Sequence, residues 1–365
     1  MIMLRNKFLF IPVLIFFLAL GIDRLLMTEK IQTYFTKTVS EINFFHKPHL
    51  FQELKDYLSQ KDRKKVLIYF GNSRALLFDN KYIEAKYPDW ILFNFSVPGG
   101  GPDYFLFWLE KFKEENVKPD FILLDTSLEV YNLTPIIKID ESLINGLSAG
   151  FVFRNSYRYS KTEISNFIAK RLFRTYQYRP KLSTILYRTA NNFQVLYAYR
   201  AWRKEVFDRL VVERGSATSD FYQNRSNPDD VIQKYAKGDY NSYLVNFQYN
   251  DGMEDFFKES LEITKDLGVP SAFIMVRIAP MYFEMMKTEK SAKIGETMVT
   301  PYSVYLPRMK TIESKYKIPF WNMNEDPFYN CNAFTDASHM ATECFPQYTD
   351  FIFNKIQNTK IDQNQ

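Results

Sequence analysis

Histidine is scarce in this 365-residue chain: there are three, and only His339 lies beyond residue 50. A site in the body of the chain can therefore draw an imidazole base from few places. Cysteine is scarcer, with Cys331 and Cys344 alone. We find no histidine pair at ligand spacing and no cysteine cluster, so no metal and no cofactor is expected. Glycine numbers only 12, so the run Gly99-Gly100-Gly101 is informative. The excess of positive charge is small, +5 with a pI near 8.8, and does not by itself imply nucleic acid. Low-complexity runs and internal repeats are missing. What is present, 46% hydrophobic and 24% charged residues, excludes a disordered chain and suffices for a sizeable core.

Long apolar runs are also few. The clearest is Phe8 to Ile22, flanked by Arg5 and Lys7 before it and Asp23-Arg24 after it. A basic flank and an apolar core of this length fit an export signal or a short membrane anchor. Ala19-Leu20-Gly21 is a poor cleavage site, and no cysteine follows at which a lipid could be attached. We expect an uncleaved signal-anchor over 1–28, a single pass, and the bulk of the chain outside the cytoplasm. A buried N-terminal helix is the alternative, although no polar face crosses these residues.

Residues 29–62 follow as a helical stalk. Ile31, Phe35, Val39, Ile42 and Phe45 recur at helical spacing, Pro48 interrupts, and Leu50 to Leu58 resumes the pattern. The core then alternates. Strand Val66–Phe70 leads to a helix near Ala75–Tyr87, strand Trp90–Phe95 to a helix through Phe105–Phe112, and strand Phe121–Leu124 follows. After a gap, helix Met253–Leu267, strand Ala272–Val276, helix Ser303–Tyr316, strand Pro319–Asn322 and helix Pro346–Ile356 complete the series. Such alternation predicts an α/β fold with a parallel sheet between helices. Its two halves, 63–131 and 251–360, are separated by 132–250, which reads as an inserted helical cap. Phe151 to Arg214 holds 14 Lys and Arg against 4 Asp and Glu, a net +10, so the rest of the chain sums to −5. Aromatics are interleaved there, among them Tyr157, Tyr176, Tyr187 and Trp202. This composition suits an anionic membrane surface or glycan, or else a solvated basic helix face.

Three features point to chemistry. The first apolar strand runs into Gly71-Asn72-Ser73-Arg74, which would expose a serine at the carboxyl end of the sheet and at a helix start. Asn94-Phe95-Ser96-Val97-Pro98-Gly99 ends the second strand in glycines that let backbone N–H groups approach a ligand. Asp336 and His339 stand three apart, so their side chains can lie on one side of a turn. His339 could take the Ser73 proton while Asp336 holds the imidazole. Cys331 and Cys344 bracket this pair, either as a disulfide that pins the loop or as two thiols merely close in sequence.

These blocks, in this order, resemble the SGNH superfamily, also called GDSL esterases. The resemblance covers about 65–130 and 252–358. It implies a three-layer α/β/α sandwich with a flavodoxin-like parallel sheet. It implies Ser73 as nucleophile, His339 as base, Asp336 as orienting acid, and oxyanion donors at Ser73, Gly99 and Gly100. The chain departs from the pattern twice. Its first block reads Gly-Asn-Ser-Arg rather than Gly-Asp-Ser-Leu. The third strand runs into Asp125-Thr126-Ser127-Leu128-Glu129, which puts Glu129 where an oxyanion asparagine is expected. Asn132 would replace that asparagine if the loop took another path. The anchored layout resembles cell-envelope O-acylation proteins, such as the membrane-anchored protein of teichoic acid D-alanylation and the alginate acetyltransferases. A serine esterase or O-acyltransferase is therefore expected, acting on acyl esters of an envelope glycan or lipid, with a multi-pass acyltransferase as partner and no nucleic acid. The alternative is a non-catalytic envelope scaffold on the same fold that binds a glycan or a membrane acyltransferase.

Overall fold

The structure, a computed structural model, describes residues 10–36, 40–133, 141–216 and 225–362. Its centre is five short strands: β1 (Lys65–Phe70), β2 (Trp90–Asn94), β3 (Phe121–Asp125), β4 (Ser271–Met275) and β7 (Phe320–Asn322). All are parallel, in the order β2-β1-β3-β4-β7. Every residue of β2, β3 and β4 is buried. These strands are continuous apolar runs because parallel sheets are covered on both faces. The two faces are visible at adjacent residues of β1, which point opposite ways. Phe70 lies 5.7 Å from Phe112 of helix Pro102–Glu114, whereas Tyr69 meets Tyr348 of helix Phe345–Asp362.

The expected strands recur within a residue or two. Two elements were not expected: helix Pro280–Thr288 and an antiparallel hairpin of β5 (Ala292–Ile294) and β6 (Thr297–Val299). The predicted break at Pro48 does not occur. Helix Ser40–Leu58 runs through it. Conversely, the helix expected over Ala75–Tyr87 is shorter: a 3₁₀ turn, Ser73–Ala75, precedes helix Asn80–Lys86. Asp79 caps that helix by accepting from the N–H groups of Lys81 and Tyr82.

The chain divides into two compact units, 1–39 with 152–206, and 40–151 with 207–365. The expected cap at 132–250 is therefore split. Residues 225–250, including helix Asp229–Tyr243, belong with the sheet. In the other unit, helix Phe10–Leu26 exposes Leu14, Ile15, Phe17 and Leu18. Residues 1–9 of the expected anchor lie outside the described residues. Among the described residues no helix is long and apolar enough to cross a membrane, so an N-terminal membrane helix is not supported as a span. Asp23, buried on this helix, accepts from the N–H groups of Arg174 and Thr175 and from the Thr175 hydroxyl. Basic residues of this unit do structural work too. Arg188 stacks 3.7 Å from the Tyr199 ring centre and donates to Thr33 O, and Arg200 donates to Thr33 Oγ1. Tyr157, Tyr187, Tyr197, Leu182 and Leu186 are exposed.

Candidate active site

The site is built at the carboxyl ends of β1, β2 and β3, where open α/β sheets present ligands. Beyond β1 the chain turns at Gly71. Asn72 then fixes the turn with both ends of its amide. Its Oδ1 accepts from Arg74 N at 2.9 Å, and its Nδ2 donates to Ser127 Oγ at 2.8 Å. Ser127 in turn donates to Asp125 Oδ1 at 2.6 Å. Asn72 and Ser127 thereby link the loops after β1 and β3 and hold Ser73 between them.

The base comes from the far end of the sequence. Asp336 Oδ1 accepts from the N–H groups of Ser338 and His339, both at 2.8 Å, which folds this segment into a tight turn. Thr335 N donates to His339 O at 3.0 Å and closes it. Both carboxylate oxygens of Asp336 then lie 2.9 Å from His339 Nδ1, and His339 Nε2 lies 2.7 Å from Ser73 Oγ. With Nδ1–H directed at the carboxylate, Nε2 carries the lone pair that can accept the serine proton. Burial would raise the Asp336 carboxyl. The contacts with His339 and the two backbone N–H groups outweigh it and hold the group below the ordinary carboxylate range. Cys331 and Cys344 are bridged, with Cα atoms 5.6 Å apart, and so bracket this turn covalently.

Ser73, Asp336 and His339, 266 residues apart at the extremes, thus form one hydrogen-bonded line. They open into a cleft of about 180 Å³ whose walls include Arg74, Gly99, Glu129 and Asp239. The glycine run divides in role. Gly99 has a φ of +67° and lines the cleft. Gly100 donates its N–H to Val97 O at 3.0 Å, and a Cβ there would stand 2.5 Å from Gly71 O. Its part is to let the loops after β1 and β2 pass closely, rather than to donate into the cleft. Asn132 is placed elsewhere. It donates to Tyr243 O at 2.6 Å and accepts from Gln248 N at 3.1 Å, and does not itself line the cleft.

The chain belongs to a family of undetermined activity. The model described as "Protein of unknown function (DUF1574)" matches residues 3–356, nearly the whole chain. No curated protein matches it.

In this DUF1574 chain the carboxylate at 129 is not a free charge. Glu129 is buried and paired with buried Arg74, Oε1 to Nη2 at 2.6 Å and Oε2 to Nη1 at 3.3 Å. Burial alone would lower the Arg74 guanidinium, but Glu129 and Asp125 raise it above its ordinary value, so it stays charged. Asp125, fully buried, is pushed up to about 6, chiefly by desolvation and against the pull of Arg74 and Ser127. Asp239, from helix Asp229–Tyr243, accepts from Ser338 Oγ at 2.8 Å. Burial raises it, Ser338 lowers it, and Asp336 raises it further. Sequence reasoning missed Arg74 and Asp239 as site residues. Arg74 was legible in principle, since it follows the serine at the same sheet end as Glu129. Asp239 had no local signal.

One group outside the cleft could hold a metal ion. His46, His49 and Glu53 each bring a donor atom within 4.8 Å of the others. This corrects the expectation that no histidine pair stands at ligand spacing. The helix continues through Pro48, so residues 46, 49 and 53 share a face.

Proposed function

We propose that this chain is an SGNH-like serine esterase or O-acyltransferase acting on acyl esters of a cell-envelope glycan or lipid. The observation that carries the proposal is the 2.7 Å contact of Ser73 Oγ with His339 Nε2, backed by Asp336 at 2.9 Å. Parallel strands in the order β2-β1-β3-β4-β7, covered on both faces, fit the flavodoxin-like three-layer sandwich of that superfamily.

In this reading Ser73 Oγ attacks the acyl carbonyl carbon as its proton passes to His339 Nε2. Asp336 holds the imidazolium that results. The tetrahedral intermediate collapses, the alkoxide leaves with the proton from His339, and an acyl-Ser73 ester remains. Water or a second hydroxyl then gives its proton to His339 and attacks the ester, and the second tetrahedral intermediate collapses as His339 returns that proton to Ser73 Oγ, releasing the acid or the new ester. The backbone of Ser73 and Gly99 borders the place where the oxyanion forms. The two departures from the superfamily pattern are one feature: Arg74 and Glu129 pair with each other. Arg74, its charge matched by Glu129, lines the cleft next to Ser73.

Anchoring belongs to the same proposal. The exposed apolar residues of helix Phe10–Leu26 would seat the chain at a membrane, with the remainder on the extracytoplasmic side. The exposed tyrosines and basic residues of 152–206 suit an anionic surface, and a multi-pass acyltransferase is the expected partner. The scaffold alternative draws on one observation: Arg74 and Glu129 occupy the cleft with a closed ion pair rather than a free amide.

Hydrolysis of an aryl acetate by the purified chain separates the two. Turnover abolished by Ser73→Ala and by His339→Ala is the expected result. A wild-type rate equal to buffer, with the protein folded, would favour the scaffold.

A further inference from the structure

A buried histidine normally satisfies at least one ring nitrogen with a protein hydrogen bond. His46 does not. It is fully buried, and neither Nδ1 nor Nε2 has a hydrogen-bond partner. Glu53 Oε2, two turns further along the same helix, is likewise buried and without one. His49 lies between them, half exposed, with Nδ1 3.5 Å from Glu53 Oε1. The two imidazole rings are 5.8 Å apart and inclined by 38°, and the Phe207 ring stands edge-on to His46. Donor atoms of the three side chains lie within 4.8 Å of one another on one helix face, as a set of ligands without its ion would.

We infer that His46, His49 and Glu53 form a divalent transition-metal site of the zinc class. Two imidazole nitrogens and one carboxylate oxygen are the donors such borderline ions select, and three protein ligands leave a coordination position to solvent. His49 is the exposed member, so that position opens outward.

Two cations stand nearby and are otherwise engaged. Lys47 directs its Nζ to Asn94 O at 2.7 Å and Gly215 O at 3.2 Å. Arg214 is paired with Glu84 at 2.8 Å. The site is separate from the Ser73 cleft and shares no residue with it. All three ligands lie on one helix, so the ion would not staple two segments together. It would stabilise the native chain only by binding it in preference to the unfolded one.

The test uses the full chain without a histidine tag, stripped with a chelator and titrated with Zn²⁺ and with Co²⁺. One equivalent of Zn²⁺ bound at micromolar or tighter affinity is expected, with a rise in Tm and, for Co²⁺, visible d–d absorption. His49→Ala, at an exposed position that does not threaten folding, should weaken binding at least 100-fold. Glu53→Gln should weaken it about tenfold or more. His339→Ala, which removes the remaining histidine, should leave the stoichiometry at one. The inference is overturned if the wild type binds no Zn²⁺ at 100 μM. It is equally overturned if His49→Ala leaves affinity unchanged, or if His339→Ala abolishes binding.

Discussion

Two histidines of the same unit are treated in opposite ways. At the loop 335–339 every polar atom of the imidazole has a partner: Asp336 on one nitrogen, Ser73 on the other, and a disulfide bracketing the turn. On helix Ser40–Leu58 the His46 ring is more deeply buried and both its nitrogens are unmatched. Burying an unmatched polar group costs about 1–3 kcal/mol. In the proposed function the first arrangement needs only a substrate, and in the inferred metal site the second needs an ion.

The comparison breaks first at the cleft. Removing Ser73 or His339 should lower esterase turnover by about 10⁴-fold or more, because the two act as one unit and the double variant should be little worse than either. Asp336→Asn should keep the serine and histidine in place yet lower turnover by about 10²–10⁴-fold, since an amide can stabilise the wrong tautomer. Steady-state kinetics on an aryl acetate measures all three. Next comes the ion pair that closes the cleft. Arg74→Met leaves Glu129 buried without its partner and should cost about 3–5 kcal/mol in denaturant unfolding, whereas Arg74→Met with Glu129→Leu should recover most of it.

A smaller effect sits behind the pair. Because Asp125 is held at about 6 in the folded chain, above its unfolded value, it binds its proton more tightly when folded. Its contribution is complete below about pH 4 and is lost as pH rises toward 6, after which it is level. The stability of wild type relative to Asp125→Asn should follow that window in pH-dependent denaturation. The smallest effect sharpens the contrast of the histidines. In metal-free protein His46→Leu should change stability by less than about 1 kcal/mol or raise it, because no hydrogen bond is lost. In Zn²⁺ the same change should remove the metal-dependent gain in Tm.

Much of this was legible in the chain. The β-strands announced themselves as short apolar runs ended by Gly, Asn or Asp, and Ser73, Asp336 and His339 were the residues a triad would need. What hid the rest was the distance over which its contacts act. Glu129 looked like an obstacle until Arg74, 55 residues earlier, was seen to pair with it. Asn132 has the right chemistry for an oxyanion donor, but Tyr243 and Gln248 claim it. His46 and His49 were not read as a pair at ligand spacing, and Pro48 was read as an interruption of the stalk helix. A proline removes one N–H and crowds the preceding turn, yet packing of Leu50, Phe51 and Leu54 in the core carries the helix through. Helix Asp229–Tyr243 read as part of the cap because it falls where the strand–helix alternation is interrupted, although it lends Asp239 to the cleft.

The central claim is that Ser73 is an activated nucleophile. Treating the folded chain with a fluorophosphonate and mapping the adduct by mass spectrometry tests it directly. We expect a single covalent adduct on Ser73, missing in Ser73→Ala and strongly reduced in His339→Ala. A folded wild-type chain that takes no label at Ser73, or takes it equally without His339, would contradict the account.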